Sequence, residues 1–413
     1  MNHMRAARIV ALSVVLCVSV LLSSPTGTWA EGMAPKVKAK SYILMDFDSG
    51  AILDEYKADE KRAPASMTKM MSAFVVLDKI SEGQLSWNDM VTVSPRAAKI
   101  EEAQIFLKPG EQVPVKELFT AMLVYSANDA TVALAEHVGG SEEAFVEMMN
   151  QKAKALGMVH THYRCASGLD MHLYPDPPNV PGEHVMSAQD SAILARELIK
   201  TYPEVLKTTS MPNATFLQGT DHAQKKPNWN KMLPGFKHFY DGVDGLKTGH
   251  TNEAGYCFTG TAKQRDYRLV TVVMGTASDD ARFSETSKLL DYGFGSFQPT
   301  ELVAKNGKVA GKETLALPNG VERTVPVVAN EKILIPTRIG EEGNYTIQVQ
   351  FKQGIQAPLS KGDVVGEARV LYKNQPVKGV APIQMVAAVP MEEASDFQLF
   401  FRKAGDTIKS WIN

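Results

Sequence analysis

The sequence predicts an α+β domain with a helical region set between its first and last strands, then a small all-β domain and a terminal amphipathic helix. Three observations predict it. Strand-like segments stand at both ends of residues 41–295, with helical periodicity between them. Farther on, Tyr345, Ile347, Val349 and Phe351 alternate with polar residues, as do Ala368, Val370 and Tyr372. In 393–413, Phe397, Phe400, Phe401, Ala404, Ile408, Trp411 and Ile412 recur at the period of one helical face. The chain has 413 residues, 44% of them hydrophobic, which is ample for two packed domains.

The elements follow in chain order. Arg5 and Arg8 precede an uncharged apolar run over 9–22, and small residues lead to Ala30. Basic start, short apolar middle and small final residue are the layout of a cleaved secretory signal peptide over 1–30. The run is shorter than the ~20 residues a bilayer span needs, which favours cleavage over a retained anchor. Residues 41–46 and 51–56 read as strands joined by the Asp48-Ser49-Gly50 turn. Pro64 then precedes a helix carrying Met67, Met70, Met71, Phe74 and Leu77 on its core side. Residues 118–158 are mostly helical, broken at Ser126-Ala127-Asn128 and at Gly139-Gly140. Four prolines make 174–182 a loop, and 188–201 fits another helix. Residues 242–249, 256–261 and 269–274 read as neighbouring strands, and 284–292 as a closing helix. The α+β domain is thus placed at 41–295, the all-β domain at 300–390 with a hairpin-type turn at Asn319-Gly320, and the terminal helix at 393–413.

Composition excludes several classes. With 44 basic and 46 acidic residues the net charge is -2, so no basic excess points to nucleic acid. Cys17 leaves with the signal peptide. Cys165 and Cys257 read as two buried thiols, although an exported protein also admits a disulfide between them. His160 and His162 have no third ligand in view and read as structural, so no metal is expected. No glycine-rich phosphate loop occurs, and no cofactor is expected.

The chemistry rests on three motifs in order: Ser66-Met67-Thr68-Lys69, Ser126-Ala127-Asn128 and Lys247-Thr248-Gly249. Ser-x-x-Lys puts both side chains on one face, one helical turn apart. A serine hydroxyl is a weak nucleophile until a base takes its proton, and a lysine serves if burial and nearby positive charge lower its pKa. Lys247 is a candidate for that second charge. A serine at a helix start also has backbone N–H groups near a developing oxyanion. Each motif alone is weak. Ser86-Trp87-Asn88 also matches Ser-x-Asn, but it comes too soon after the first helix and reads as a turn or cap.

Taken together, the trio resembles that of the penicillin-recognising serine enzymes. Asn128-Asp129-Ala130, Leu134-Ala135-Glu136-His137, Met149-Asn150, Leu156-Gly157-Met158, Ser167-Gly168-Leu169-Asp170 and Asp244 through Thr251 narrow the likeness. They are similar to the serine-type D-Ala-D-Ala carboxypeptidases among the low-molecular-weight penicillin-binding proteins. The resemblance implies a serine transpeptidase/β-lactamase-like fold. It implies that Ser66 attacks the carbonyl between two terminal D-alanines of a peptidoglycan stem pentapeptide while Lys69 takes its proton. Ser126 would relay a proton to the leaving D-alanine, and Asn128 would hold the substrate amide. Lys247 and Thr248 would bind the terminal carboxylate beside Gly249, and the N–H groups of Ser66 and His250 would form the oxyanion hole. β-Lactams are implied as covalent inhibitors. An exported enzyme held at the outer face of the cytoplasmic membrane by the terminal helix is the expected setting.

Two positions depart from the family pattern. Cys165-Ala166 stands where Asn-Pro is common, and Trp229 stands near an arginine that in some members helps bind the carboxylate. Whether a second cation assists Lys247 is therefore open. The other readings are a D,D-endopeptidase, a class A β-lactamase and a non-catalytic wall-binding scaffold. Glu183, the glutamate that directly follows the proline-rich loop, lacks the setting of a lactamase glutamate, and the intact trio argues against the scaffold.

Overall fold

The computed structural model describes residues 34–412. The 1–30 segment read as a signal peptide lies outside the described residues. Five antiparallel strands form the central sheet: β1 (Ser41–Asp46), β2 (Ile52–Tyr56), β3 (Val243–Thr251), β4 (Gly255–Gln264) and β5 (Tyr267–Thr276), in the order β2-β1-β5-β4-β3. The first strands of the chain therefore pair with the last, Ile43 opposite Val272, and everything between folds as an insertion.

Every residue of β1 is buried, because the sheet is covered on both faces. Alternate side chains feed two cores. Ile43 and Met45 of β1, with Val270, Val272 and Met274 of β5, pack with Met67, Met71 and Leu134. Tyr42 and Leu44, with Leu269 and Val273, pack instead with Phe283, Leu289 and Tyr292.

The first core belongs to the insertion: α1 (Lys69–Ser81), α2 (Asn128–Gly139), α3 (Glu142–Ala155) and α4 (Ala188–Thr201). The second belongs to α5 (Asp279–Ser296). Serine hydroxyls start three of these helices. Ser141 accepts from Ala144 N (3.2 Å), Ser187 from Asp190 N (3.0 Å) and Ser278 from Ala281 N (3.1 Å). The last cap, followed by Asp279 and Asp280 in the first turn, starts α5 well before the expected 284. Those polar residues carry no apolar period, so the pattern alone starts the helix too late. Two short hairpins were not expected at all: Met90–Thr92 with Gln112–Pro114, and Asn213–Phe216 with Gln224–Pro227. Runs of three and four residues are too short to show alternation. Cys165 and Cys257 are buried and unbonded.

Strand Phe297–Val303 leads out of α5 and pairs with Ile333–Arg338. Beyond it, Thr314–Ala316, Thr324–Ala329, Ile383–Ala387, Val364–Tyr372 and Tyr345–Phe351 lie side by side in that order around a core of their own, with Val327, Val365 and Met385 at its centre. A turn of this sheet covers the edge of the central one: Ile52 N donates to Lys378 O (2.9 Å), and Lys378 pairs with Glu55. The terminal helix, α6, spans Asp396–Ile412.

Candidate active site

Pro64 caps a 3-10 turn, Ala65–Thr68, that runs straight into α1. Ser66 thus lies in the tight turn ahead of the α-helix, not in its first α-helical turn, and Lys69 begins the helix proper. Ser126 ends a π-helical turn, Ala121–Tyr125, in a left-handed conformation (φ 67°). Asn128 then opens α2, with its N–H on Ala103 O (2.6 Å). Behind it the buried Asp129 carboxylate accepts the N–H groups of Ile105 and Leu107 (each 3.1 Å), fixing the opposite wall. Lys247, Thr248, Gly249 and His250 lie on β3. Glycine at 249 is a packing requirement: a Cβ there would sit 2.8 Å from Pro64 O, so only glycine lets β3 approach the serine turn.

These elements bring all eight predicted residues to one place. Lys69 is fully buried. Its Nζ lies 2.9 Å from Ser66 Oγ, and it donates to Asn128 Oδ1 and Ser167 O at 2.7 Å each. Burial brings its pKa down to about 7, against the opposing pull of Cys165, Asp129 and Glu142. Lys247 Nζ reaches Ser126 Oγ (2.9 Å) and Thr248 O (3.0 Å). Burial first, then the charges of Lys69 and Arg282, push its pKa well below the usual lysine range. Asn128 Nδ2 is held by Glu101 O (2.9 Å), which leaves Oδ1 for Lys69. His250 stacks its ring on Tyr256, centroids 4.1 Å apart. Ser66, Ser126, Asn128, Thr248, His250 and Arg282 are among the residues lining one open cleft of about 630 Å³.

A neutral lysine amine has two N–H donors and one lone pair. Two of the three Lys69 partners are carbonyl oxygens, which only accept. They take both donors and leave the lone pair directed at Ser66 Oγ–H, the geometry of a general base.

Two features of the cleft, Arg282 and the Ser167 carbonyl, had no signal in the sequence, and a third, Trp229, showed there only as a departure from the family pattern. Arg282, from α5, is buried with Nη1 on Gly249 O (3.1 Å) and an ion pair to Asp279. It belongs to no motif, and only the packing of α5 on β4 and β5 brings it there. It is a second cation beside Lys247. Ser167 contributes a backbone carbonyl, which side-chain identity cannot reveal. Trp229 lines the cleft, stacks on Tyr125 at 5.8 Å and donates its indole N–H to Tyr125 O (2.8 Å). Outside the cleft, Ser86 sits in a turn with its N–H on Asp89 Oδ2 (2.8 Å). His160 N–H meets Asp190 Oδ2 and His162 Nε2 meets Pro181 O, each at 2.8 Å, so the two histidines serve separate loops.

The chain is similar to known proteins over most of its length. Residues 29–278 match the D-alanyl-D-alanine carboxypeptidase family, peptidase S11, and residues 297–391 match the C-terminal domain of penicillin-binding protein 5. The chain is 35% identical to D-alanyl-D-alanine carboxypeptidase DacF of Bacillus subtilis, over 90% of each chain. It is 36% identical to DacC of Escherichia coli over 84% of each. Its fold is similar to penicillin-binding protein 5 from Haemophilus influenzae (TM-score 0.75, 32% identity, 88% of this chain and 100% of that one). It is also similar to Listeria monocytogenes penicillin-binding protein D2 in its ampicillin-bound form (TM-score 0.55, 35% identity, 63% and 100%). Motif, fold and overall similarity together place the chain in the D-alanyl-D-alanine carboxypeptidase family, peptidase S11.

Proposed function

We propose that Ser66 is the nucleophile, and Lys69 its base, in a serine-type D-alanyl-D-alanine carboxypeptidase of peptidoglycan metabolism. The observation that carries this is the buried Lys69 Nζ, 2.9 Å from Ser66 Oγ and held by two carbonyl acceptors that take the donors of a neutral amine. The pentapeptide enters with its terminal carboxylate toward Lys247 and Thr248, and Arg282 adds positive charge behind Gly249. Ser66 Oγ attacks the carbonyl between the two D-alanines as its proton passes to Lys69. The N–H groups of Ser66 and His250 hold the oxyanion. The tetrahedral intermediate collapses, the C–N bond breaks, and the proton that Lys69 took is relayed through Ser126, which Lys247 holds, to the departing amine, so that Lys69 is neutral again. Water then attacks the acyl-enzyme ester as Lys69 takes its proton, the ester C–O bond breaks, Lys69 passes that proton to Ser66 Oγ, and the shortened peptide leaves with Ser66 and Lys69 both restored. A β-lactam presents a carboxylate and a strained amide in the same relation and acylates the same oxygen.

The setting we propose is the outer face of the cytoplasmic membrane, reached through the 1–30 signal peptide and held by α6. No described helix is long and apolar enough to cross a membrane. On α6, Arg402 donates to Gly320 O (2.6 Å), while Phe397, Phe400 and Phe401 are 71%, 66% and 57% exposed. The polar side ties the helix to the β-domain and the aromatic side is free, which supports a helix lying in the membrane interface.

Mass spectrometry after incubation with benzylpenicillin tests the central reading. The expected result is one penicilloyl adduct on Ser66, lost together with D-alanine release in Ser66→Ala. An adduct that persists on that variant would refute the assignment.

A further inference from the structure

A chain of hydrogen bonds runs from the Ala65–Thr68 turn to a histidine outside the cleft. Arg164 N lies 2.9 Å from His184 Nδ1. A backbone amide can only donate, so Nδ1 accepts and the ring proton resides on Nε2. His184 Nε2 lies 2.9 Å from Thr68 Oγ1 and donates to it. Thr68 Oγ1 in turn donates to Ala65 O at 2.8 Å. An amide at one end and a carbonyl at the other fix every direction in the chain. Desolvation first, then the nearby charges of His162, Arg164 and Lys69, push the His184 pKa well below the usual histidine range, so the ring stays neutral with this tautomer.

The same carbonyl is gripped from a second side. A Cβ on Gly168 would lie 1.9 Å from Ala65 O and 2.7 Å from Thr68 Oγ1, so that loop presses its backbone onto the turn. Ala65 itself has φ 49°, a left-handed conformation that a residue with a Cβ keeps only where its surroundings over-determine it. The peptide unit is planar and rigid, with C=O and N–H pointing in opposite directions. Fixing Ala65 O therefore fixes the N–H of Ser66.

We propose that His184 and Thr68 are positioning residues that act in relay, Arg164 N–H to His184 to Thr68 to Ala65 O, to hold the Ser66 N–H on the developing oxyanion. This rests on the proposed function, in which that N–H is one of the two oxyanion donors. Neither side chain is required to touch the substrate. The role predicts a defect in transition-state stabilisation, whereas a purely architectural role predicts a defect in folding.

The test compares Thr68→Val, which keeps shape and removes the hydroxyl, with Thr68→Ser, which restores it, in the full-length protein. His184→Gln keeps a donor toward Thr68, and His184→Ala removes it. Four quantities are read: kcat and KM for D-alanine release, the melting temperature, and the infrared stretch of the ester carbonyl in the penicilloyl enzyme. Thr68→Val and His184→Ala are expected to lower kcat ~10–100-fold with KM nearly unchanged. Their ester stretch moves to higher wavenumber because the carbonyl is less polarised, and Thr68→Ser returns toward the parent on both counts. Parental kcat in Thr68→Val overturns the relay. So does a loss of rate with an unshifted ester stretch, or one that tracks only the folded fraction. If His184→Ala does not fold, the near-isosteric Thr68→Val decides. Penicilloylation of the parent enzyme at Ser66 tests the underlying function separately, so failure of one is not read as failure of the other.

Discussion

The role proposed for Lys69 rests on the partners of one buried amine and on its pKa. A base lowered to about 7 is protonated below that pH and free above it. Penicillin acylation should therefore rise as pH climbs through about 7 and level off above it, which stopped-flow acylation rates across pH 5–9 would check. Lys69→Arg keeps the charge but cannot release its proton, and acylation should fall ~10²–10⁴-fold with the melting temperature little changed. Near-parental labelling by that variant would remove Lys69 from the role of base. At the other end of the cleft, Lys247→Gln, or amidation of the peptide's C-terminus, should cost ~2–5 kcal/mol in kcat/KM as the carboxylate loses its buried partner. Equal turnover of amidated and free peptides would favour an endopeptidase. At this scale the residue types were legible because their chemistry is unusual at such spacing. Arg282 and the Ser167 carbonyl were not legible: one is an ordinary helix residue, and the other is backbone.

Single elements set how closely these side chains meet. The serine turn, the Ser126 turn and β3 converge because glycines permit backbone contact, as at Gly249 against Pro64 O. Gly249→Ala should force β3 off the turn, at a cost of ~1–3 kcal/mol from overpacking. Urea denaturation should register that loss, and D-alanine release should fall by more than the unfolded fraction explains. A fully active, equally stable variant would show that the approach is not needed. Element prediction succeeded where periodicity was long, as in the helices of the insertion. It shortened α5, whose first turn is polar, and missed two hairpins too brief to alternate.

At the scale of the whole molecule, the question is what the exposed aromatic face of α6 meets. Burying Phe397, Phe400 and Phe401 in lipid is worth about 1.5–3 kcal/mol each before the cost of ordering. The charges Arg402, Lys403 and Lys409 are matched by Glu393, Asp396 and Asp406, so attraction to anionic lipid is weak. The backbone of 391–394 pairs with the β-domain, Ala394 N on Asn319 O at 2.8 Å, so a cut should spare it. A chain ending at Ser395 should be soluble and active, whereas ~1 M salt should leave the full-length protein on membranes. Sedimentation of the truncated protein with membranes, or its unfolding, would assign α6 to the β-domain instead.

The sequence by itself determined the class of fold, the order of its parts and the three motifs, because periodicity and reactive residue types are local properties. It left open whether Trp229 in place of arginine costs the site a second cation. Only the tertiary structure supplied Arg282, because α5 packs across β4 and β5, from where Arg282 reaches Gly249 O of β3, and no local pattern encodes that contact. Only the tertiary structure turned Ser66 and Lys69 from neighbours on a turn into a hydroxyl facing a buried amine. That direction depends on Asn128 and Ser167, remote in the chain and joined to Lys69 through the packed insertion. A hydrogen bond has a direction, and direction is fixed by what lies on every side of a group, not by what stands beside it in the sequence.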